Sequence, residues 1–261
     1  MKIPIFQVDA FSSKLFQGNP AAVCPLQRWL PDETLKKIAR ENNLSETAFY
    51  TKSSSSGYDI RWFTPVHEVD LCGHATLATA FVIFQSDPAS LIHFNSASGP
   101  LSVERKNNWL FLDFPIREAA PCNPPEDLIR GLGFEPKECF LNRDYYAVFD
   151  SESVIRNLQP NLSLFRRLDA LGVCVTAPGS AVDFVSRFFA PKEGIPEDPV
   201  TGSAHSTLVP FWSKRMGKKK LNALQLSDRG GELECFLANE RVKIGGRAVL
   251  YMKGDIYLQD Q

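Results

Sequence analysis

Two short stretches of the chain share one pattern, and this pattern restricts the fold more than any other feature. Residues 70–76 read DLCGHAT and residues 198–204 read DPVTGSA, each with a glycine and a small or polar residue before a long apolar run. Each stretch follows an aromatic-rich segment ending in proline, YDIRWFTP and VDFVSRFFAP. Repetition of strand, loop, apolar helix and strand is typical of an internal duplication. The sequence therefore predicts two similar half-domains that face each other, with the chemistry between them.

Each of the two glycines is predicted to begin a buried helix. The run GHATLATAFVIF has no polar face, so protein must surround it on all sides, and GSAHSTLVPFW is mostly apolar. Between the repeats, residues 115–125 hold four prolines in eleven residues, which disfavours both helix and inner strand. We therefore predict half-domains at 1–116 and 117–261, with a C-terminal strand near 250–261 that can pack on the first.

Charge and composition exclude several classes of partner. The 29 Lys and Arg residues nearly balance 30 Asp and Glu, so there is no general attraction to nucleic acid or to an anionic membrane. No apolar stretch approaches the roughly 20 residues that span a bilayer. The six cysteines are scattered without a C-x-x-C pair, which argues against a disulfide framework or a structural zinc site. We expect a cytosolic protein with no nucleic-acid partner, no membrane partner and no metal.

The starts of the two buried helices predict a site for a small anion. Free backbone N–H groups and the positive ends of both helix dipoles point out of the cores there, which suits a carboxylate. Ordinary helix capping is the alternative for either glycine taken alone. Polar side chains cluster at both starts, namely Cys72 and His74 beside Gly73, and Asp198, Thr201 and Ser203 beside Gly202.

Two ionisable residues stand out by position. In LSETAFY, a strand would place Leu44, Glu46, Ala48 and Tyr50 on one face, so the Glu46 carboxyl lies among apolar neighbours and is suited to proton transfer near neutral pH. Pairing at a strand edge or a helix cap is the alternative. His74 is predicted to be a neutral hydrogen-bond donor, because burial and the helix dipole both disfavour an imidazolium.

The segments VDAFSSKLFQGNPAAV, LSETAFY, RWFTPVHEVDLCGHATLA, RFFAPKEGIPEDPVTGSAH and SDRGGEL resemble the PhzF (phenazine biosynthesis-like) family, in order from residue 3 to about residue 250. This family shares the diaminopimelate epimerase fold. The resemblance implies an α+β protein of two pseudo-symmetric domains, each a mostly antiparallel β-sheet or barrel around a central α-helix. It also implies a homodimer.

The resemblance further implies a cofactor-independent isomerase that shifts a proton on a small unsaturated or cyclic amino or hydroxy carboxylic acid. Glu46 would be the catalytic acid and base, with His74, Asp198 and Ser203 in support and Gly73 and Gly202 binding substrate. Further candidates are Asn19, Cys72 and Thr201. Diaminopimelate epimerases use a cysteine before each helix glycine; Cys72 fills the first position and Pro199 the second, which argues against two-thiol epimerisation.

Other functions stay open at this point. The fold could serve a non-catalytic small-molecule-binding or regulatory protein, although such a role gives no reason to keep all the polar site residues. A metal-dependent hydrolase could use Cys72, His74, Asp198 and His205, but these lack a ligand-spacing motif. Ser203 is a poor candidate nucleophile, because TGSAH is not a G-x-S-x-G elbow.

Overall fold

The computed structural model describes residues 1–54 and 56–259. The chain forms two compact units, here called unit 1 (Met1–Asp113 with Gly245–Gln261) and unit 2 (Phe114–Ile244). These boundaries differ from the predicted 1–116 and 117–261, although the prediction included a C-terminal strand near 250–261 that can pack on the first half-domain. The physical reason is that the last strand pairs antiparallel with the first, from Lys2 opposite Tyr257 to Ala10 opposite Ala248, so the chain's end completes the sheet of unit 1.

Unit 1 is a mixed, mainly antiparallel sheet with two helices. Its elements are β1 (Lys2–Ala10), β2 (Asn19–Pro25), α1 (Asp32–Asn42), β3 (Glu46–Lys52), β4 (Tyr58–Phe63), β5 (Glu68–Val69), α2 (Gly73–Phe84), β6 (Leu91–Ser96), β7 (Gly99–Lys106), β8 (Trp109–Pro115) and β18 (Ala248–Tyr257). The hydrogen-bonded strand order is β18-β1-β2-β3-β4-β6-β7-β8, with β5 added at β4.

Unit 2 has a similar sheet and more helical segments. Its elements are β9 (Ala120–Pro121), α3 (Glu126–Leu132), β10 (Glu138–Leu141), β11 (Tyr145–Val148), α4 (Glu152–Asn157), α5 (Leu162–Phe165), β12 (Val173–Pro178), β13 (Phe184–Ala190), β14 (Ile195–Asp198), α6 (Gly202–Met216), β15 (Lys220–Gln225), β16 (Gly231–Ala238) and β17 (Arg241–Gly246). The order is β9-β10-β11-β12-β13-β15-β16, with β14 added at β13.

The two sheets repeat the same pairing directions in the same order. From β1 to β7 the successive pairs are antiparallel, parallel, antiparallel, parallel and antiparallel. The series from β10 to β16 is the same. In each unit a short strand pairs with the fourth strand of that series, and the long apolar helix follows this short strand in the chain. The predicted internal duplication is thus present in the topology. The similarity of short Gly- and Ala-rich segments in the sequence could not have established it alone.

The helix α2 is buried because its sequence is apolar on every side. Of its twelve residues, all except Phe81 are buried, and it packs against β1, β2 and β3. Alternate residues of a strand point to opposite faces, so Phe49 joins the apolar cluster under α1 while Glu46 and Ala48 point the other way. The opposite face is the one that α2 covers, and it holds the candidate site of unit 1. No helix among the described residues is long and apolar enough to cross a membrane.

Each unit also contains an equivalent ion pair. In the motif RWFTP, Arg61 donates two hydrogen bonds to the Glu68 carboxylate, at 2.7 and 2.6 Å. In the matching RFFAP, Arg187 does the same to Glu197, at 2.7 and 2.9 Å. Each pair ties the fourth strand of the series to the short strand before the buried helix, and thereby helps to position the start of that helix.

Candidate active site

Four polar side chains of unit 1 meet at the start of α2. Asn19 is the first residue of β2, Glu46 is the first residue of β3, and Cys72 and His74 flank the glycine that begins α2. Because β2 and β3 run parallel with Ala21 opposite Glu46, their first residues lie at the same sheet edge. The structure therefore brings together every unit 1 residue that the sequence marks as a site candidate.

His74 is the centre of this cluster. Its Nε2 lies 3.2 Å from Glu46 Oε2, although the two atoms are not aligned as a good hydrogen bond. Its Nδ1 lies 3.2 Å from the Asn19 amide nitrogen and 3.5 Å from the Cys72 sulfur. All four residues are buried. A charged or proton-exchanging group placed here is largely removed from bulk water, which strengthens its electrostatic interactions.

The protonation of His74 differs from the sequence-based expectation. Burial by itself lowers the pKa of the imidazole, but the Cys72 and Glu46 side chains beside the ring outweigh burial and raise the pKa of His74 well above its usual range. The prediction of a neutral His74 was therefore wrong, because it counted desolvation and the helix dipole but not the Glu46 carboxylate. The Asn19 amide suits either state, since it can turn its nitrogen to an accepting Nδ1 or its oxygen to a protonated one.

Cys72 is held as a thiol. Burial, with the Glu46 carboxylate nearby, raises the pKa of the Cys72 thiol. Its main-chain carbonyl accepts the hydroxyl of Thr76 at 2.5 Å, which fixes the first turn of α2. A buried thiol with a raised pKa is a weak nucleophile and a weak base. This environment favours a packing role for Cys72 over a role in proton transfer.

Glu46, Cys72 and His74 could also be considered as metal ligands, since their ligand atoms all lie within 4.8 Å of one another. A metal needs a thiolate and a neutral imidazole. Binding a metal here would therefore require the loss of a proton from both Cys72 and His74. The set shares only Cys72 and His74 with the four ligands of the metal-hydrolase alternative.

The polar candidates of unit 2 meet at the start of α6. Asp198 ends β14, and Thr201 directly precedes the helix glycine Gly202. The Thr201 hydroxyl donates to Asp198 Oδ2 at 2.5 Å, and both residues are buried. Ser203, the second residue of α6, is less buried and accepts from Arg143 Nη2 at 3.3 Å. The structure therefore joins all four unit 2 candidates around one helix start.

The position matching Cys72 in unit 2 is Thr201 and not Pro199. Cys72 directly precedes Gly73 at the N-cap of α2, and Thr201 directly precedes Gly202 at the N-cap of α6. Three residues separate β5 from α2 and three separate β14 from α6, so the residue directly before each glycine is the equivalent one. The conclusion is unchanged, because Thr201 has no thiol for a two-cysteine mechanism.

Sequence reasoning missed Gln225, which braces this helix start. Its side chain accepts from the Thr201 N–H at 2.8 Å and donates to the Asp198 carbonyl at 2.8 Å and the Thr201 hydroxyl at 3.1 Å. A signal was present, since Gln225 continues the alternating buried positions Leu221 and Ala223 of β15. A glutamine at a period-two core position is a buried polar group that needs partners.

His205 behaves unlike His74. It is fully buried, and its Nδ1–H donates to the Thr201 carbonyl at 2.8 Å. Its Nε2 has no hydrogen-bond partner among the described residues. Burial, opposed only by the Thr201 contact, lowers the pKa of His205 to about 4. His205 is therefore a neutral histidine of the core, with a hydrogen-bond partner at only one of its two ring nitrogens among the described residues.

The chain matches the model of a protein family described as phenazine biosynthesis-like protein, PhzC-PhzF, over residues 8–131 and 140–254. An uncharacterized isomerase of Pseudomonas aeruginosa is 50% identical over 260 residues, which cover 99% of this chain and 100% of that protein. A crystal structure of a PhzF family phenazine biosynthesis protein from Enterococcus faecalis has 48% identity and a TM-score of 0.95, with 99% and 100% of the two chains covered.

A more distant likeness confirms the fold class. A hydroxyproline epimerase from Agrobacterium vitis, solved with bound trans-4-OH-L-proline, has a TM-score of 0.65 at 12% identity, covering 99% of this chain and 93% of that one. At this identity the likeness shows the fold alone. The predicted α+β, epimerase-like architecture is thereby confirmed. Matched over nearly its whole length by sequence and by structure, the chain belongs to the PhzC-PhzF family of phenazine biosynthesis-like proteins.

Proposed function

We propose that this protein is a cofactor-independent isomerase that moves a proton within a small unsaturated or cyclic amino or hydroxy carboxylic acid. The family relationship and the isomerase names of its relatives support the reaction class. The observation that carries the proposal for this chain is the buried Glu46 carboxylate beside His74, at a helix start that has backbone N–H groups to offer an anion.

Glu46 is the proposed acid and base. As a carboxylate it accepts a proton from an acidic carbon of the substrate, and the electron pair left behind spreads into the adjacent conjugated system. The same carboxyl group then returns the proton at the other end of that system, so the double bond moves and no atom is gained or lost. One residue serves both steps when the two carbons lie on the same side of the substrate.

His74 is the proposed partner of Glu46. A cationic imidazolium whose Nε2 lies 3.2 Å from Glu46 Oε2 holds the carboxyl group in place for proton transfer. The imidazolium can also donate to negative charge that develops on the substrate during proton transfer. Asn19 orients the ring through Nδ1.

The groups of unit 2 are proposed to hold the substrate and not to exchange protons with it. Asp198, already positioned by Thr201 at 2.5 Å, is suited to accept from an amino or hydroxyl group. The N–H groups at Gly202 and the Ser203 hydroxyl are suited to a carboxylate.

The proposal is tested by proton NMR in deuterated buffer with a panel of small cyclic and unsaturated amino and hydroxy acids. Wild type should place deuterium into one compound class, and Glu46→Gln should lose this exchange by about a hundredfold or more. Glu41→Gln, an exposed carboxylate on α1, is the matched control and should exchange at the wild-type rate.

Full exchange by Glu46→Gln would contradict the role assigned to Glu46. The alternative function, a small-molecule-binding or regulatory protein, predicts a different outcome. In that case no compound exchanges with wild type, yet some compounds raise its melting temperature.

We also propose a homodimer, which the family resemblance implies. Unit 1 exposes large apolar side chains of the kind that protein contacts use, at Leu15, Phe16, Leu250, Tyr251, Met252 and Tyr257. Light scattering at micromolar concentration should give twice the chain mass of 29.2 kDa. The monomer mass would contradict this proposal.

A further inference from the structure

A cavity of 330 Å³ lies in unit 2, away from the helix start that carries Asp198 and Ser203. The α6 residues that line it run from Thr207 to Lys214, so it begins one turn after Ser203 and follows the C-terminal half of the helix. Its volume is within the range of small-molecule sites, about 300 to 1,000 Å³. Nothing in the proposed isomerase chemistry uses this cavity.

Pro210 explains how one wall of the cavity is built. Proline has no N–H, so the Ser206 carbonyl loses its partner within α6. The N–H of Arg117 donates to this carbonyl instead, at 3.2 Å. The contact anchors the chain next to residues 118–121, which form one side of the cavity, while β10, β11 and β12 form the other.

The polar groups inside the cavity are already paired with protein. The Thr176 hydroxyl donates to a main-chain carbonyl at 2.7 Å and accepts from the Trp212 indole N–H at 3.0 Å. The Thr207 hydroxyl accepts from the Asn142 amide at 3.0 Å and is also hydrogen-bonded to Tyr146. A ligand that enters here therefore meets no buried polar group in need of a partner, and its inner part should be apolar.

Aromatic and aliphatic side chains supply the remaining surface. The rings of Phe140 and Phe211 meet edge to face, with centroids 5.3 Å apart, and Leu208 and Val148 complete this surface. Aromatic ligands are favoured in such surroundings, because another ring can add an edge-to-face or offset contact.

Two opposite charges lie where the cavity meets solvent. Glu118 and Lys214 line the cavity and are both exposed. Within the described part of the chain, neither side chain forms an ion pair or hydrogen bond with another residue or with each other. An apolar interior with one unpaired carboxylate and one unpaired ammonium group at its mouth is complementary to a zwitterion with an apolar tail.

We propose that this cavity binds a free α-amino acid with an aromatic or large apolar side chain. The side chain lies against Phe140, Phe211 and Leu208. The ammonium group of the ligand pairs with Glu118, and its carboxylate pairs with Lys214. The site is separate from the proposed isomerase site and does not depend on it.

The test compares three probes by isothermal titration against the wild-type protein. L-Phenylalanine carries both charges, 3-phenylpropionate only the carboxylate, and 2-phenylethylamine only the ammonium group. Because solvent-exposed ion pairs are weak, each single-charge probe should bind about two- to fivefold more weakly than L-phenylalanine.

Variants locate the site. Ala119→Trp places a ring into the cavity from its loop wall and should weaken L-phenylalanine binding by about tenfold or more. Glu118→Gln and Lys214→Gln should each weaken it by about two- to fivefold. Lys219→Gln, an exposed lysine outside the cavity, is the matched control, and Ser203→Ala tests the start of α6; both should bind L-phenylalanine as wild type does. Circular dichroism checks that each variant is folded.

Three results would overturn the proposal. The first is no saturable binding of L-phenylalanine to wild type up to about 10 mM. The second is equal binding of 3-phenylpropionate and L-phenylalanine, which would remove the role of the ammonium group. The third is loss of binding in Ser203→Ala with full binding in Ala119→Trp, which would place the ligand at the start of α6.

Discussion

Units 1 and 2 have the same frame but different chemistry at matching positions. The phenylalanines of RWFTP and RFFAP fix the alignment, since Phe63 pairs with Thr47 in β3 and Phe189 pairs with Val173 in β12. The residue before Thr47 is Glu46, and the residue before Val173 is Gly172. The proposed acid and base of unit 1 therefore has a glycine as its counterpart in unit 2.

Gly172 could not be replaced by a carboxylate without rebuilding the site. A Cβ at this position would lie 2.4 Å from the Phe188 ring and 3.1 Å from the Phe189 carbonyl oxygen. The two helix starts differ as well. Cys72 precedes the first glycine of α2 and His74 follows it, whereas Thr201 precedes the first glycine of α6 and Ser203 follows it. Duplication supplied two equivalent helix starts; the proposed acid and base lies at the first, and the second has the Asp198 carboxylate, which accepts a hydrogen bond from Thr201.

The largest stability difference is expected between the two equivalent ion pairs. Arg187 is only 11% exposed and also donates to the Ile155 and Leu158 carbonyls, whereas the Arg61 side chain is 26% exposed. Arg187→Met should lower the free energy of unfolding by about 3 kcal/mol, because it leaves a carboxylate and two carbonyls without donors. Arg61→Met should cost about 1 kcal/mol. Urea unfolding measures both, and equal costs would contradict the comparison.

A second prediction concerns His205 in acid. Its pKa is about 4 in the folded protein, below its value in the unfolded chain, so the unfolded state binds more protons as pH falls. Stability should therefore decrease between about pH 6.5 and pH 4, by roughly 3 kcal/mol from this group. His205→Asn keeps a donor for the Thr201 carbonyl and should remove this part of the pH dependence. An unchanged acid profile in the variant would show that other groups cause it.

His74 should show the opposite pH dependence. Its pKa is raised in the folded protein, so its charge pair with Glu46 stabilises fully below the unfolded value and is lost as pH rises through the folded value. The stability advantage of wild type over His74→Gln should therefore shrink toward alkaline pH. In a Glu46→Gln background this pH dependence should disappear, and its persistence would mean that another group holds the proton on His74.

The smallest effect is expected at Cys72. Cys72→Thr copies the unit 2 residue into unit 1 and should change the rate of proton exchange by less than about tenfold, because the buried thiol is not placed to ionise. The rate of deuterium incorporation measures this. A loss as large as that of Glu46→Gln would give Cys72 a direct part in the chemistry.

Much of the fold could be predicted from the sequence, and so could the residues of each half of the site taken separately. Apolar runs and their glycines predicted α2 over its observed length, Gly73–Phe84, because a helix without a polar face has few alternatives. The sequence predicted that a C-terminal strand near 250–261 can pack on the first half-domain, but it did not predict the pairing register of β18 with β1 or the end of unit 2 at Ile244. Likewise, the protonation state of His74 in α2 depends in part on Glu46 in β3, a contact that the sequence around His74 does not show.

We assign proton transfer to unit 1 and substrate binding to unit 2. The most direct test of this assignment compares Glu46→Gln with Asp198→Asn on a substrate found in the exchange panel. At saturating substrate, deuterium incorporation should fall by about a hundredfold or more in Glu46→Gln, whereas Asp198→Asn should keep its rate within about tenfold and need more substrate to saturate. The reverse result, with Asp198→Asn inactive at saturation and Glu46→Gln active, would contradict the assignment of proton transfer to unit 1.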